Sequence, residues 1–160
     1  MRILVTGAAG FAGRYLVREL SENGHEAVAF DLRFDSPVSG ARGCIGGDLC
    51  HAATVAKAVA STRPDACIHL GGIAFVPTGK ANPGIVLTVN TMGTLNVLEA
   101  VRQHAPRCRT LVVSTAQIYA PERNGRKIKE DTSPRPTSVY AVSKAAADLM
   151  TLAYADRHGL

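Results

Sequence analysis

Apolar positions fall in short runs separated by longer helical patterns. RILVT, Arg2 to Thr6, is nearly continuous in apolar residues and predicts a buried strand. GRYLVRELSENG follows with helical periodicity and closes at Gly24, an expected C-terminal cap. HEAVAFD, His25 to Asp31, predicts a second strand, and a short third is expected around Gly43 to Gly46. Helix is predicted over Ala52 to Ser61, strand over Asp65 to Leu70, helix over Ile85 to His104 and strand over Thr110 to Ser114. A loop rich in charge and proline spans Pro121 to Pro136, and a last helix spans Ser138 to Arg157.

Strand and helix alternate at βαβ spacing, which argues for a parallel sheet covered on both faces. The near-continuous apolar strands suit such burial. The expected fold is α/β, a Rossmann-like doubly wound sheet of five parallel strands in the order 3-2-1-4-5, with residues 1–160 as one dinucleotide-binding domain. No repeat or internal linker breaks the pattern.

The first strand runs into TGAAGFAG, where Gly7, Gly10 and Gly13 have GxxGxxG spacing around Phe11 and Ala12. A tight strand-to-helix turn needs glycine, and a pyrophosphate needs close approach to backbone amides at a helix N-terminus. The motif follows a strand and opens a helix, the context in which it points to a dinucleotide. Asp31 ends the second strand at the position of a ribose-binding carboxylate. A carboxylate there repels a 2′-phosphate, so NAD is favoured over NADP, although Arg33 softens that preference.

Composition narrows the class further. Hydrophobic residues make up 46% and charged residues 19%, ordinary for a globular core, and aromatics only 5%. Ala, Gly and Val dominate, which suits close helix-on-sheet packing. The net charge of +5 permits an anionic ligand, but the basic residues are scattered, so nucleic acid is not expected. The densest charge run, Glu122 to Asp131, reads as a solvated loop. Cys44, Cys50, Cys67 and Cys108 form no CxxC and have no histidine at metal-ligand spacing, so no metal site is expected. Cys67 and Cys108 read as small buried thiols in a reduced, cytoplasmic protein. The chain begins at once with MRILVTG, so no signal peptide is expected, and no apolar run approaches the ~18 residues of a membrane span.

Five stretches in order carry a family resemblance: the glycine loop, GDL at Gly47 to Leu49, HLGGIA at His69 to Ala74, VSTAQIYA at Val113 to Ala120 and YAVSK at Tyr140 to Lys144. Together they resemble the extended short-chain dehydrogenase/reductases, the NAD-dependent sugar-nucleotide epimerases and dehydratases, over essentially the whole chain. The resemblance implies that Asp48 and Leu49 contact the adenine. It implies that Leu70, Gly71, Gly72 and Ala74 line the cofactor, and that Asn90 supports the active site. The family usually has alanines at Gly71 and Gly72, an exchange expected to be tolerated because smaller residues cannot block the cofactor.

Tyr140 and Lys144 are four apart and share one helix face. A tyrosine ordinarily ionises near pH 10, and a neighbouring ammonium favours its phenolate. In the resembled family the tyrosine moves the hydroxyl proton while hydride passes between sugar carbon and nicotinamide. The lysine also holds the nicotinamide ribose, and Thr115 matches the Ser/Thr that hydrogen-bonds the reacting oxygen. The catalytic set implied is therefore Thr115, Tyr140 and Lys144. STAQIYAPE and RPTSVYAVSKAAADL look most like the GDP-mannose dehydratase and keto-sugar reductase branch.

Sugar-nucleotide 4,6-dehydratases carry acidic residues just after this Ser/Thr, where this chain has Ala116 and Gln117. A neutral amide cannot act as the base for water elimination, so epimerase or keto-sugar reductase is expected instead. Family members run to about twice this length and generally form homodimers. The C-terminal substrate domain is therefore expected to be absent from these 160 residues, which should bind NAD yet turn over nucleotide-sugars poorly. The alternative is a dinucleotide-binding module without catalysis.

Overall fold

The computed structural model describes residues 1–74, 81–119 and 127–160. Five parallel strands form the sheet: β1 (Arg2–Thr6), β2 (Glu26–Asp31), β3 (Gly43–Gly46), β4 (Ala66–His69) and β5 (Arg109–Val112). Their order is β3-β2-β1-β4-β5, as expected. The order reverses between β1 and β4, so the connections leaving these two strands diverge and open a crevice at their carboxyl ends.

Among the described residues the main helices are α1 (Phe11–Glu22), α2 (Ala52–Thr62), the long α3 (Pro83–His104) and α4 (Val139–His158). Alternation along the strands feeds two cores. Leu4 and Phe30 point to one face with Val55 and Val59 of α2 and Val97 and Val101 of α3. Ile3, Val5, Ala27 and Ala29 point to the other, against Val17 of α1. Each fully buried Val or Leu there contributes about 1.5–3 kcal/mol. The alanines of β2 let α1 lie close to the sheet.

Cys67 and Cys108 are buried thiols, and burial pushes Cys108 up to about 11. Gly24 has a φ of +77° just past α1, as a helix-closing glycine should. Part of the predicted Pro121 to Pro136 loop and the first half of the charge run lie outside the described residues; Lys127 to Asp131 are exposed.

Two differences from the sequence reading concern α3. It is not uniform, because Thr88–Met92 forms a π-helical turn between Pro83–Leu87 and Gly93–His104. Thr91 donates its hydroxyl to the Leu87 carbonyl and Thr94 donates to the Asn90 carbonyl at 2.7 Å, and such side-chain bonds bend a helix. Contrary to the expectation that no apolar segment nears membrane length, the 22-residue α3 is long and apolar enough by length and composition, with a mean hydropathy of 1.3 over an 18-residue window. Its buried side, with Val97, Leu98 and Val101, packs on α2 and the sheet, which accounts for the apolar composition.

Candidate active site

β1 turns into α1 through the glycine loop. Gly7 has a φ of +71°, and a Cβ on it would lie 2.7 Å from the Gly71 amide nitrogen. Both the turn and the approach of the β4 exit therefore require glycine. A Cβ on Gly13 would overlap the Gly7 carbonyl oxygen, so only glycine lets α1 seat on the loop. Gly10 caps α1 without a side-chain hydrogen bond. The first amides of α1 are thus left for an acceptor at the positive end of the helix.

Asp31 does more than the sequence suggested. Its Oδ2 accepts from the Ala9 amide at 2.8 Å and its Oδ1 from the Leu32 amide at 2.7 Å, so it ties the glycine loop to the end of β2. A carboxylate offers about four acceptor sites, which leaves room for ligand hydroxyls. Asp48 closes a turn by accepting from the Cys50 amide at 2.8 Å. Leu49 next to it fills a slot between Gly71 and Gly93, whose Cβ positions would lie 2.6 Å and 3.1 Å from its side-chain atoms. Asn96 of α3 fixes the Leu49 carbonyl at 2.8 Å. Sequence reading missed Asn96; an amide inside the apolar pattern LNVLEAV was the signal.

Gly7, Gly10, Phe11, Ala12 and Gly13 line one crevice of about 970 Å³ together with Asp31, Asp48, Leu49, Leu70, Gly71, Gly72 and Ala74. The structure brings all twelve of these predicted positions to one place. Arg33 also lines it, as do Ile85 and Val89 of α3, which the sequence reading had not assigned.

Asn90 sits behind this crevice in the π turn and is 2% exposed. Its Oδ1 accepts from the Ile73 amide at 2.7 Å, and its Nδ2 donates to the Ile73 carbonyl at 3.1 Å and to Ser143 Oγ at 2.9 Å. Ser143 in turn donates to the Tyr140 carbonyl at 2.7 Å. Asn90 thus couples the β4 exit to the first turn of α4. Gly72 gives it room, because a Cβ there would lie 2.8 Å from Asn90 Oδ1.

α4 starts at a Ser138 cap, whose Oγ accepts from the Ala141 amide at 3.1 Å. Tyr140 lies half-buried in its first turn, and Lys144 one turn on is 9% exposed. Burial pulls the Lys144 ammonium below the ordinary lysine range, opposed by the charge of Asp148. Thr115 caps the short 3₁₀ turn Ala116–Ile118, its Oγ1 accepting from the Gln117 amide at 3.3 Å, and this turn packs on α4. The Thr115 hydroxyl proton is not used by that bond. Ala116 and Gln117 are exposed. Among the described residues no cluster of His, Cys, Asp and Glu could hold a metal ion.

Comparison with known proteins identifies the family and the fold. The model of the "NAD dependent epimerase/dehydratase family" matches residues 3–160. The chain is 34% identical over 171 residues to a dTDP-glucose 4,6-dehydratase of Mycolicibacterium smegmatis, covering 100% of this chain and 50% of that protein. It is 30% identical over 185 residues to a CDP-paratose 2-epimerase of Salmonella typhi, covering 100% of this chain and 54% of the relative. Among solved structures, the UDP-glucose 4-epimerase of Thermus thermophilus, in complex with NAD, superposes with a TM-score of 0.92 at 33% identity, covering 100% of this chain and 52% of the other. The chain spans about half the length of these relatives. With a family match over nearly every residue, on a sheet of the expected order, the chain belongs to the NAD-dependent epimerase/dehydratase family.

Proposed function

We propose that residues 1–160 are the cofactor-binding and catalytic part of an NAD-dependent oxidoreductase or isomerase that acts on a hydroxyl or keto group of a nucleotide-sugar, as an epimerase or keto-sugar reductase. The observation that carries this reading is the burial of the Lys144 ammonium one helical turn from Tyr140. Binding a dinucleotide does not call for a tyrosine beside that lysine, whereas proton transfer at a hydroxyl calls for a positioned titratable group such as Tyr140.

The crevice fits NAD by its own features. The uncapped N-terminus of α1 suits the pyrophosphate, and the Gly7–Gly71 approach leaves backbone where a Cβ would intrude. Asp31 suits the ribose hydroxyls and disfavours a 2′-phosphate, which supports NAD over NADP despite Arg33. Leu49, backed by Gly71 and Gly93, offers an apolar surface to the adenine. When bound, NAD supplies hydride acceptance and donation.

In the proposed mechanism Tyr140 takes or returns the proton of the sugar hydroxyl. Lys144, one turn on, would hold the nicotinamide ribose. Thr115 donates its unused hydroxyl proton to the reacting oxygen. Ser143 and Asn90 hold the turn that carries Tyr140.

Elimination of water is disfavoured although several similar proteins bear the dehydratase name, because Ala116 and Gln117 place no carboxylate beside Thr115. A second reading, a binding module without catalysis, is favoured by the crevice itself, whose lining includes neither Thr115 nor Tyr140. The exposed Val142, Leu149 and Leu152 of α4 support a homodimer in the whole protein.

Tyr140→Phe separates the two readings. Under the catalytic reading, hydride transfer by the whole protein in a nucleotide-sugar screen falls about 10²–10⁴-fold while NAD affinity by calorimetry stays within about threefold. Unchanged turnover in Tyr140→Phe overturns the proton-transfer assignment, and dehydratase turnover with Gln117 intact overturns the exclusion of elimination.

A further inference from the structure

His69 ends β4, is 1% exposed, and has no part in the mechanism above. Its Nδ1 lies 2.6 Å from Thr6 Oγ1, and its Nε2 lies 3.0 Å from Thr94 Oγ1. The protons on these groups can be assigned by counting donors. Thr94 has one hydroxyl proton and donates it to the Asn90 carbonyl at 2.7 Å. Thr94 must therefore accept from His69, which places a proton on Nε2. Thr6 Oγ1 accepts from the Gly71 amide at 3.2 Å, which leaves its own proton for Nδ1. Every donor then has one acceptor, running from Gly71 through Thr6, His69 and Thr94 to Asn90. A second proton on the imidazole would leave the Thr6 hydroxyl without an acceptor among the described residues.

We propose that His69 is a positioning residue: as an Nε2–H imidazole it links the Gly71 amide in the crevice to the Asn90 carbonyl in the π turn, and so sets the Asn90 amide that holds Ser143 and the Tyr140 turn. Both ends of this relay matter to the site. Gly71 faces the crevice against Gly7, and Asn90 carries the only described link from Ile73 to Ser143. Thr6, Thr94, Asn90 and Ser143 are each at most 2% exposed, so no water competes for these bonds. The charged group that acts on His69 is the Lys144 ammonium, with Asp148 acting on that lysine from the next turn of α4. Burial and Lys144 together push the imidazole down to about 3, in accord with the neutral tautomer that the donor count requires. The catalytic consequence rests on the oxidoreductase reading; the relay itself does not.

The test uses the whole 160-residue chain with isotope-labelled histidine. Imidazole nitrogen shifts should show one histidine as a fixed Nε2–H tautomer from about pH 8 to pH 5, and His69→Gln should remove that signal. An Nδ1–H tautomer, or protonation near the ordinary histidine value, overturns the proposal. Thr94→Ser should keep the Asn90 side-chain amide and Ser143 resonances where the wild type has them, and Thr94→Val should move them with the circular dichroism unchanged. If Thr94→Val leaves both resonances in place, the relay does not position Asn90. Should Thr94→Val fail to fold, the wild-type imidazole spectrum still decides. Neither measurement needs turnover, so a failure of the oxidoreductase reading leaves the result for His69 unaffected.

Discussion

Asn90 Nδ2 stands 2.9 Å from Ser143 Oγ, a buried hydrogen bond that joins the π turn of α3 to the first turn of α4 across 53 residues of chain. The same side chain bonds both the amide and the carbonyl of Ile73. Asn90→Ala strips partners from three polar groups at once, and an unsatisfied buried group costs about 1–3 kcal/mol. The variant should unfold at lower urea, and its hydride transfer should fall by at least about tenfold, equivalent to about 1.4 kcal/mol. An unchanged urea midpoint would show that the amide is dispensable to the fold.

Gly72 meets the same amide from the crevice side. Gly72→Ala should lower stability because its Cβ would stand 2.8 Å from Asn90 Oδ1, an atom held by the Ile73 amide. The effect should vanish in an Asn90→Ala background, giving a coupling of about 0.5–3 kcal/mol in a double-mutant cycle read by urea unfolding. Simple additivity would place the strain elsewhere.

Gly7→Ala tests the crevice instead. With a φ of +71° and the Gly71 amide 2.7 Å from the added Cβ, the loop must move away from β4. NAD affinity by calorimetry should weaken by at least about tenfold, or about 1.4 kcal/mol. Retained affinity would mean that NAD does not use this turn.

How much of this was legible follows from what each pattern encodes. The glycine spacing and the apolar runs place strands and crevice, because turn sterics and burial are local properties of the chain. Asn90 and YAVSK stood out through resemblance, but their meeting through Ser143 depends on how α3 packs on α4. The π turn was hidden because its residues, TVNTM, fit an ordinary helical pattern, and only the Thr91 and Thr94 hydroxyl bonds mark it. Asp31 illustrates the same limit. Its position announced a ligand role, and nothing in the sequence signalled the Ala9 amide that it also accepts. His69 read as part of a strand, and its donor chain exists only once β1, β4 and α3 are in place.

The buried His69 sets a pH dependence of stability. Its folded value is lowered to about 3, whereas an unfolded histidine titrates near 6.5. Between these values the unfolded chain binds more protons, so stability is fully present above about pH 6.5 and is lost as pH falls toward 3. The slope from this residue approaches about 1.4 kcal/mol per pH unit at its steepest. Urea midpoints should therefore drop from about pH 7 to about pH 5. His69→Gln should flatten that drop, whatever it does to the absolute midpoint. An equal slope in the variant would assign the acid sensitivity to other groups.

Lys144 sets fold against chemistry in the opposite way. Its ammonium is 9% exposed, and burial lowers its proton affinity, with Asp148 compensating only in part. A charge held out of water costs stability, so Lys144→Met, similar in length and apolar, should raise the urea midpoint by an equivalent of about 1 kcal/mol. The same change removes the charge one helical turn from Tyr140 and the group proposed to hold the nicotinamide ribose. Hydride transfer should then fall by about 10² or more, with NAD affinity also reduced. Such an inverse shift in stability and activity marks a strained functional group rather than a structural one. A variant that loses stability as well would mean that the Lys144 charge is satisfied in the fold, and the case for its catalytic role would have to rest on Tyr140→Phe alone.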